Sequence, residues 1–232
     1  MLNQKNVTGV NSAIESSFSK YALGYDRHAR LQKMMAERLA SFLPNKMPDK
    51  VLEIGCGTGL FTKYLLDHKL KKVILNDISI KMLTQLKKKF TLPLSSTIIL
   101  GDAELIEFQL VDMITANAVF QWFEVPEKTL NRMHSFIKPG GKLIFSTFGP
   151  ATLAEFRKMA PIGSPALLLS FDHWKDIMKK SGFTLNTSLS ETHKSFYPNT
   201  LSLLKRVFNY IVILFLRLLL KELSVIRKTF VV

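Results

Sequence analysis

At 232 residues with 47% hydrophobic content, the chain can bury a substantial core and falls within the range of one α/β domain with an appendage. Thirty-two Lys and Arg against 18 Asp and Glu leave a formal net charge of +14, which suits an anionic partner such as an acidic protein, a membrane surface or nucleic acid and says nothing of fold. A single cysteine excludes an intrachain disulfide, and the polar stretch 1–20 contains no apolar signal core, so a reducing, cytoplasmic setting is expected.

Residues 11–43 carry helix-like spacing, with Phe18, Tyr21, Leu23 and Tyr25 in the first part and Leu31, Met34, Met35, Leu39 and Leu43 in the second. Pro44 and Pro48 then break the pattern. From there the chain alternates: strand 50–54, helix 58–69, strand 72–77, helix 79–90, strands 97–101 and 111–116, helix 126–137, and strand 141–148, entered through a Pro139-Gly140-Gly141 turn. Such alternation predicts an α/β fold, a doubly wound, mostly parallel sheet with right-handed crossovers that place helices on both faces. Lysine runs such as Lys87-Lys88-Lys89 read as solvated helix faces, and no stacking aromatics interleave with a basic stripe, so nucleic acid is not the expected partner. Two further helices are expected at 151–160 and 172–181, the second ended by Gly182 at a C-cap position, followed by a strand-like stretch from 183 to about 196. Residues 207–220 are strongly apolar, but 14 residues that include Arg217 fall short of the roughly 20 needed to span a bilayer, so stable membrane insertion is not expected.

The chemistry concentrates where the first strand ends, in Val51-Leu52-Glu53-Ile54-Gly55-Cys56-Gly57-Thr58-Gly59. An apolar run that meets alternating glycines and opens into helix-forming sequence reads as strand, tight turn, helix. Glycine serves where the chain turns with positive φ and where bare backbone must lie against a ligand. The dinucleotide fingerprint places glycines at the first, third and sixth positions, but here the sixth is Leu60, and no Gly-Lys-Ser/Thr of a P-loop follows. The remaining common owner of an acid followed by Gly-x-Gly-x-Gly is the S-adenosylmethionine (SAM) site of class I methyltransferases. In that site Glu53 lies near the cofactor's ammonium group, and Asp77, closing the second strand, accepts hydrogen bonds from the ribose hydroxyls. Asp102, after the third strand, accepts from the adenine amino group with Ala103 beside the ring, and Asn117 faces the methionine end. Cys56 is a small residue packed within the glycine turn, with no His or Lys nearby in sequence to lower its pKa. The expected cofactor set is thus Glu53, Gly55, Cys56, Gly57, Gly59, Asp77, Ile78, Asp102, Ala103 and Asn117.

The sequence resembles class I SAM-dependent methyltransferases, and the match extends through Asp77-Ile78-Ser79, Gly101-Asp102-Ala103-Glu104 and residues 130–141. Phe18-Ser19-Lys20-Tyr21 with Tyr25 and His28, then Asn117-Ala118-Val119-Phe120-Gln121-Trp122, then Ser146-Thr147-Phe148-Gly149-Pro150 with Leu153, are similar to the malonyl-acyl-carrier-protein O-methyltransferases of biotin synthesis. This narrower resemblance covers about residues 16–205. It implies a Rossmann-like fold, SAM as cofactor, and methyl transfer to the free carboxylate of a malonyl thioester on acyl carrier protein, an acidic partner suited to the basic chain. It also implies that Tyr25, with His28, encloses the reaction and that Trp122 borders the substrate. Related enzymes carry an arginine near the start of the helix that here begins at about 172; this chain has Ser170-Phe171 there, and Arg157 is the nearest substitute for holding the malonyl carboxylate. No metal is expected, and a monomer is. The expected organisation is an N-terminal helical lid over 1–45, a SAM-binding domain over 46–205, and an atypical apolar and basic tail over 206–232, where the family's ending is not matched. The alternatives are a methyltransferase of this fold acting on another small carboxylate or a quinone-type ring, and a methyltransferase-like assembly factor that holds SAM without transferring methyl.

Overall fold

The computed structural model describes residues 9–159, 166–193 and 198. The expected tail over 206–232, residue 160 of the helix expected at 151–160, and residues 194–196 of the expected last strand lie outside the described residues. Three helices come first: α1 (Gly9–Tyr21), α2 (Tyr25–His28) and α3 (Arg30–Ala40). Then follow β1 (Lys50–Ile54), α4 (Thr62–Leu66), β2 (Lys72–Asp77), α5 (Ile80–Lys89), β3 (Ser96–Leu100) and β4 (Val111–Asn117). A 3-10 turn over Phe120–Trp122 leads into α6 (Pro126–Ser135), β5 (Ile137–Ser146), α7 (Ala154–Met159) and α8 (Phe171–Lys180).

Among the described residues the five strands form one sheet in the order β3-β2-β1-β4-β5, and every pairing is parallel. Parallel strands covered on both faces read as continuous apolar runs, because alternate residues enter different cores. The register shows this: Leu52 pairs with Ile74 and Ile114, and these side chains join Leu130 and Met133 of α6 and Trp174 and Met178 of α8. Val51, beside Val73 and Met113, faces the other way onto Ala36 and Leu39 of α3, Leu65 of α4, and Leu83 and Leu86 of α5. Each such fully buried aliphatic side chain contributes about 1.5–3 kcal/mol over its exposed state. The one acid in this run, Glu53, is 1% exposed.

Helix boundaries follow local chemistry. The Ser79 hydroxyl accepts from the Met82 N–H at 3.2 Å and starts α5. Gly182, at φ +84°, ends α8 as expected: its N–H donates to the Lys179 carbonyl and the Phe183 N–H to that of Met178, a Schellman pair.

Several expectations are corrected. The N-terminal helical spacing is not continuous but breaks at residues 22–24 and at Ala29, whose φ and ψ of −81° and 41° are not helical. Helix 58–69 contracts to Thr62–Leu66, since residues 55–61 are taken by the turn at the end of β1. Pro139-Gly140-Gly141 is not a turn ahead of the last strand but lies inside β5, which starts at Ile137 beside Val111 and shifts register between Val111 and Met113. The bulge is held by the Asp112 carboxylate, which accepts from the Lys50 N–H at 2.9 Å and the Lys138 ammonium at 2.6 Å, and its apex needs glycine: a Cβ on Gly141 would lie 2.7 Å from the Asp112 carbonyl oxygen. Residues 183–193 form no ladder, so the strand expected from 183 is absent there. Alternating residues make a strand only where a partner edge takes up the backbone groups, and no described strand pairs with this stretch.

Candidate active site

The carboxyl ends of β1 to β4 converge where the strand order reverses. The chain runs outward from β1 through β2 to β3, then returns to the other side of β1 as β4. Loops leaving β1 and β4 diverge at such a point and open a crevice for ligands.

Gly55, Gly57 and Gly59 all have positive φ, at 62°, 56° and 90°. Their surroundings separate their tasks. A Cβ on Gly55 would sit 2.4 Å from a Val119 methyl, and one on Gly59 2.4 Å from the Phe90 ring, so these two are held by packing. Gly57 has nothing within 4 Å of its Cβ position and lines the crevice, so bare backbone is presented to open space. Its N–H donates to Asp77 Oδ2 at 2.7 Å, while Oδ1 of Asp77 accepts from the Ser79 N–H at 2.8 Å. Burial pushes the Asp77 carboxyl up to about 6, against the pull of these two backbone bonds, and Glu15 of α1 adds to the rise.

Two cavities flank the turn. The larger, about 100 Å³, is lined by Tyr25, Gly55, Gly57, Asp77, Ile78, Asp102, Ala103 and Trp122, with apolar walls from Ile14, Phe18, Met82, Val119 and Phe123. The smaller is lined by Tyr25, Glu53, Gly55, Cys56, Gly57 and Asn117. Tyr25 is shared between them. Its side chain is half-buried, and desolvation, with Asp77 and Asp26 near it, raises its pKa above the ordinary value, so it stays a neutral O–H donor. Phe18 touches both Tyr25 and Trp122 edge-on, with centroids 6.2 and 6.1 Å away. Glu53 accepts from the Thr62 hydroxyl at 2.7 Å, and burial pushes its carboxyl up to about 8 despite that bond. The Cys56 thiol is likewise raised by burial, which makes it inert.

The arrangement fits SAM: open backbone at Gly57, a carboxylate at each of two strand ends, apolar walls for a flat ring, and a buried acid at Glu53 whose charge awaits a cationic partner. Residues 52–145 match the family model described as a methyltransferase domain. A malonyl-acyl-carrier-protein O-methyltransferase of Paenibacillus sp. (strain JDR-2) is 30% identical over 220 residues, which cover 84% of this chain and 80% of that protein. The chain belongs to the malonyl-acyl-carrier-protein O-methyltransferase family, within the class I SAM-dependent methyltransferases.

Two more proteins of that name, from Halalkalibacterium halodurans and Ilyobacter polytropus, are 38% and 36% identical over 61% and 62% of this chain; the matched segment spans 57% of each of them. The fold agrees with solved methyltransferases. A chain in the complex between the Haloferax volcanii Trm112 methyltransferase activator and a methyltransferase has a TM-score of 0.63 at 17% identity, covering 84% of this chain and 93% of that one. Haemonchus contortus phosphoethanolamine N-methyltransferase 2, in complex with phosphomonomethylethanolamine and S-adenosylhomocysteine, has a TM-score of 0.59 at 20% identity, covering 76% and 45%.

In this methyltransferase, three of the residues singled out in sequence line neither cavity. Gly59 packs on Phe90, and His28 ends α2. Arg157 donates to the Thr152 carbonyl at 3.1 Å and to that of Pro150, so its guanidinium is committed to the loop after β5. Asn117 ties two elements together: its amide donates to the Gln32 carbonyl of α3 at 3.0 Å and its Oδ1 accepts from Ser146 of β5 at 2.8 Å. Asp102 Oδ1 accepts from the Glu104 N–H at 2.9 Å, which shapes the turn after β3. Sequence reasoning missed Thr62 as the donor to Glu53 and the apolar walls Ile14, Met82 and Phe123. Only the packing of α1, α4, α5 and the 3-10 turn after β4 around the strand ends brings these together.

Proposed function

We propose that this chain methylates the free carboxylate of a malonyl thioester carried on acyl carrier protein, the step that disguises the malonyl unit as a primer for biotin synthesis. The observation that supports this reading most is Tyr25: a helix outside the sheet carries a neutral phenol to the junction of the two cavities, where a donor meets an incoming carboxylate.

When bound, SAM supplies an electrophilic methyl group. A carboxylate is already a nucleophile at neutral pH, so the protein needs no general base and acts by alignment and exclusion of water. Asp77 would hold the ribose hydroxyls, Asp102 and Ala103 the adenine edge and face, and Gly57 would allow backbone approach. Glu53 would supply the negative charge for the cofactor's ammonium group, and Asn117, which lines the same cavity, would border the methionine end. The Tyr25 hydroxyl donates to the acceptor carboxylate, and Phe18 and Trp122 close the cleft above it.

The test is methyl transfer from labelled SAM to malonyl-carrier-protein, malonyl-coenzyme A and free malonate. Preferential, base-labile labelling of the carrier thioester is expected. SAM binding with no transfer to any of the three would overturn the reading in favour of a non-catalytic factor.

A further inference from the structure

We propose that Asp26 and Lys89 are positioning residues, a polar latch that fastens α2 to the glycine turn and thereby holds Tyr25 between the two cavities. The run Lys87-Lys88-Lys89 is not uniform. Lys87 and Lys88 point to solvent at the end of α5, while the Lys89 ammonium pairs with Asp26 of α2 and donates to the Thr58 carbonyl at 3.1 Å. The other Asp26 oxygen accepts from the Thr58 hydroxyl at 2.5 Å. One carboxylate thus joins three elements distant in sequence: α2, the turn after β1, and the last turn of α5, where the helix dipole favours a cation.

The latch matters because α2 has little else to hold it. It is four residues long, none fully buried, and it has no side-chain cap at its start. Tyr25 is the residue directly before Asp26, so anchoring the carboxylate anchors the backbone from which the phenol projects, and Phe18 packs against its ring. The turn it grips is the same one that Asp77 grips from the sheet side through Gly57, one residue before Thr58. Two carboxylates therefore clamp neighbouring residues of one turn from opposite sides.

Amide hydrogen exchange across residues 25–29 tests the latch in the full chain without reference to any substrate. Asp26→Asn and Lys89→Met are each expected to speed exchange there by roughly three- to fivefold, the range of a partly exposed ion pair, with the double variant no faster than either single one and Lys89→Arg close to wild type. Unchanged exchange in Lys89→Met, or additive effects in the double variant, would overturn the latch. The consequence for transfer rests on the function proposed above: Lys89→Met should lower kcat with malonyl-carrier-protein by a similar factor while the KM for the carrier holds. Faster exchange with an unchanged kcat would overturn the positioning role, and absence of transfer in the wild type would count against the proposed function while leaving the exchange result decisive for the latch.

Discussion

At the residue scale, the site is a set of buried acids whose charge the unliganded protein tolerates poorly. Asp77→Ala should weaken SAM binding by roughly 10- to 100-fold, as the ribose hydroxyls lose charged acceptors; calorimetry showing unchanged affinity would move the ribose elsewhere. Tyr25→Phe keeps the ring against Phe18 and removes only the donor, so transfer should fall by roughly tenfold or more while SAM affinity stays within about twofold, a split read by comparing kcat with calorimetry. Glu53 carries a pH signature. Its folded value of about 8 lies above the ordinary 4.5, so folding favours the protonated form. The stability this lends the unliganded protein is complete below about pH 4.5 and is lost as pH rises through about 8. Glu53→Gln should therefore raise the unliganded Tm at pH 8.5 relative to wild type, leave it nearly unchanged at pH 5, and weaken SAM at both. Thermal scans with and without SAM separate the two effects.

At the element scale, what was legible in sequence is what is encoded locally. The glycine turn, the acids closing β2 and following β3, the Ser79 start of α5 and the Gly182 end of α8 each depend on a few adjacent residues, and all are where local chemistry puts them. The misread strands concern partners. Pro139-Gly140-Gly141 has turn composition, yet the Asp112 carboxylate and a parallel neighbour draw it into β5 as a bulge. Residues 183–193 alternate like a strand, yet a ladder needs an edge to pair with. The Asp26–Lys89 pair, 63 positions apart, leaves no periodic trace at all. Two caps provide a check on the local half of this account. Ser79→Ala removes the acceptor for the Met82 N–H and should cost about 1 kcal/mol. Gly182→Ala forces a Cβ at φ +84°, 3.2 Å from the His134 ring, and should cost about the same or more in denaturant melts.

At the scale of the whole molecule, the charge of +14 acts through space and leaves the chemistry itself untouched. If an acidic carrier protein delivers the acceptor, kcat/KM for malonyl-carrier-protein should fall steeply as ionic strength rises from low to physiological values, whereas that for free malonate should change far less. Equal salt dependence for both acceptors would detach the charge from the carrier. The strand order has a consequence of a different kind, in the history of each molecule. β1 sits at the centre of the sheet, but its second neighbour, β4, is made roughly sixty residues after it. On a ribosome adding about 5–20 residues per second, β1 waits roughly 3–12 s with one edge open. Over that interval the glycine turn has no Val119 against Gly55, and the half-sheet β3-β2-β1 presents an unpaired apolar edge. The cofactor crevice therefore comes into being in a single late event, the insertion of β4, and nascent chains stalled before residue 111 should be open to protease and chaperone where those stalled well beyond Ser146 are closed.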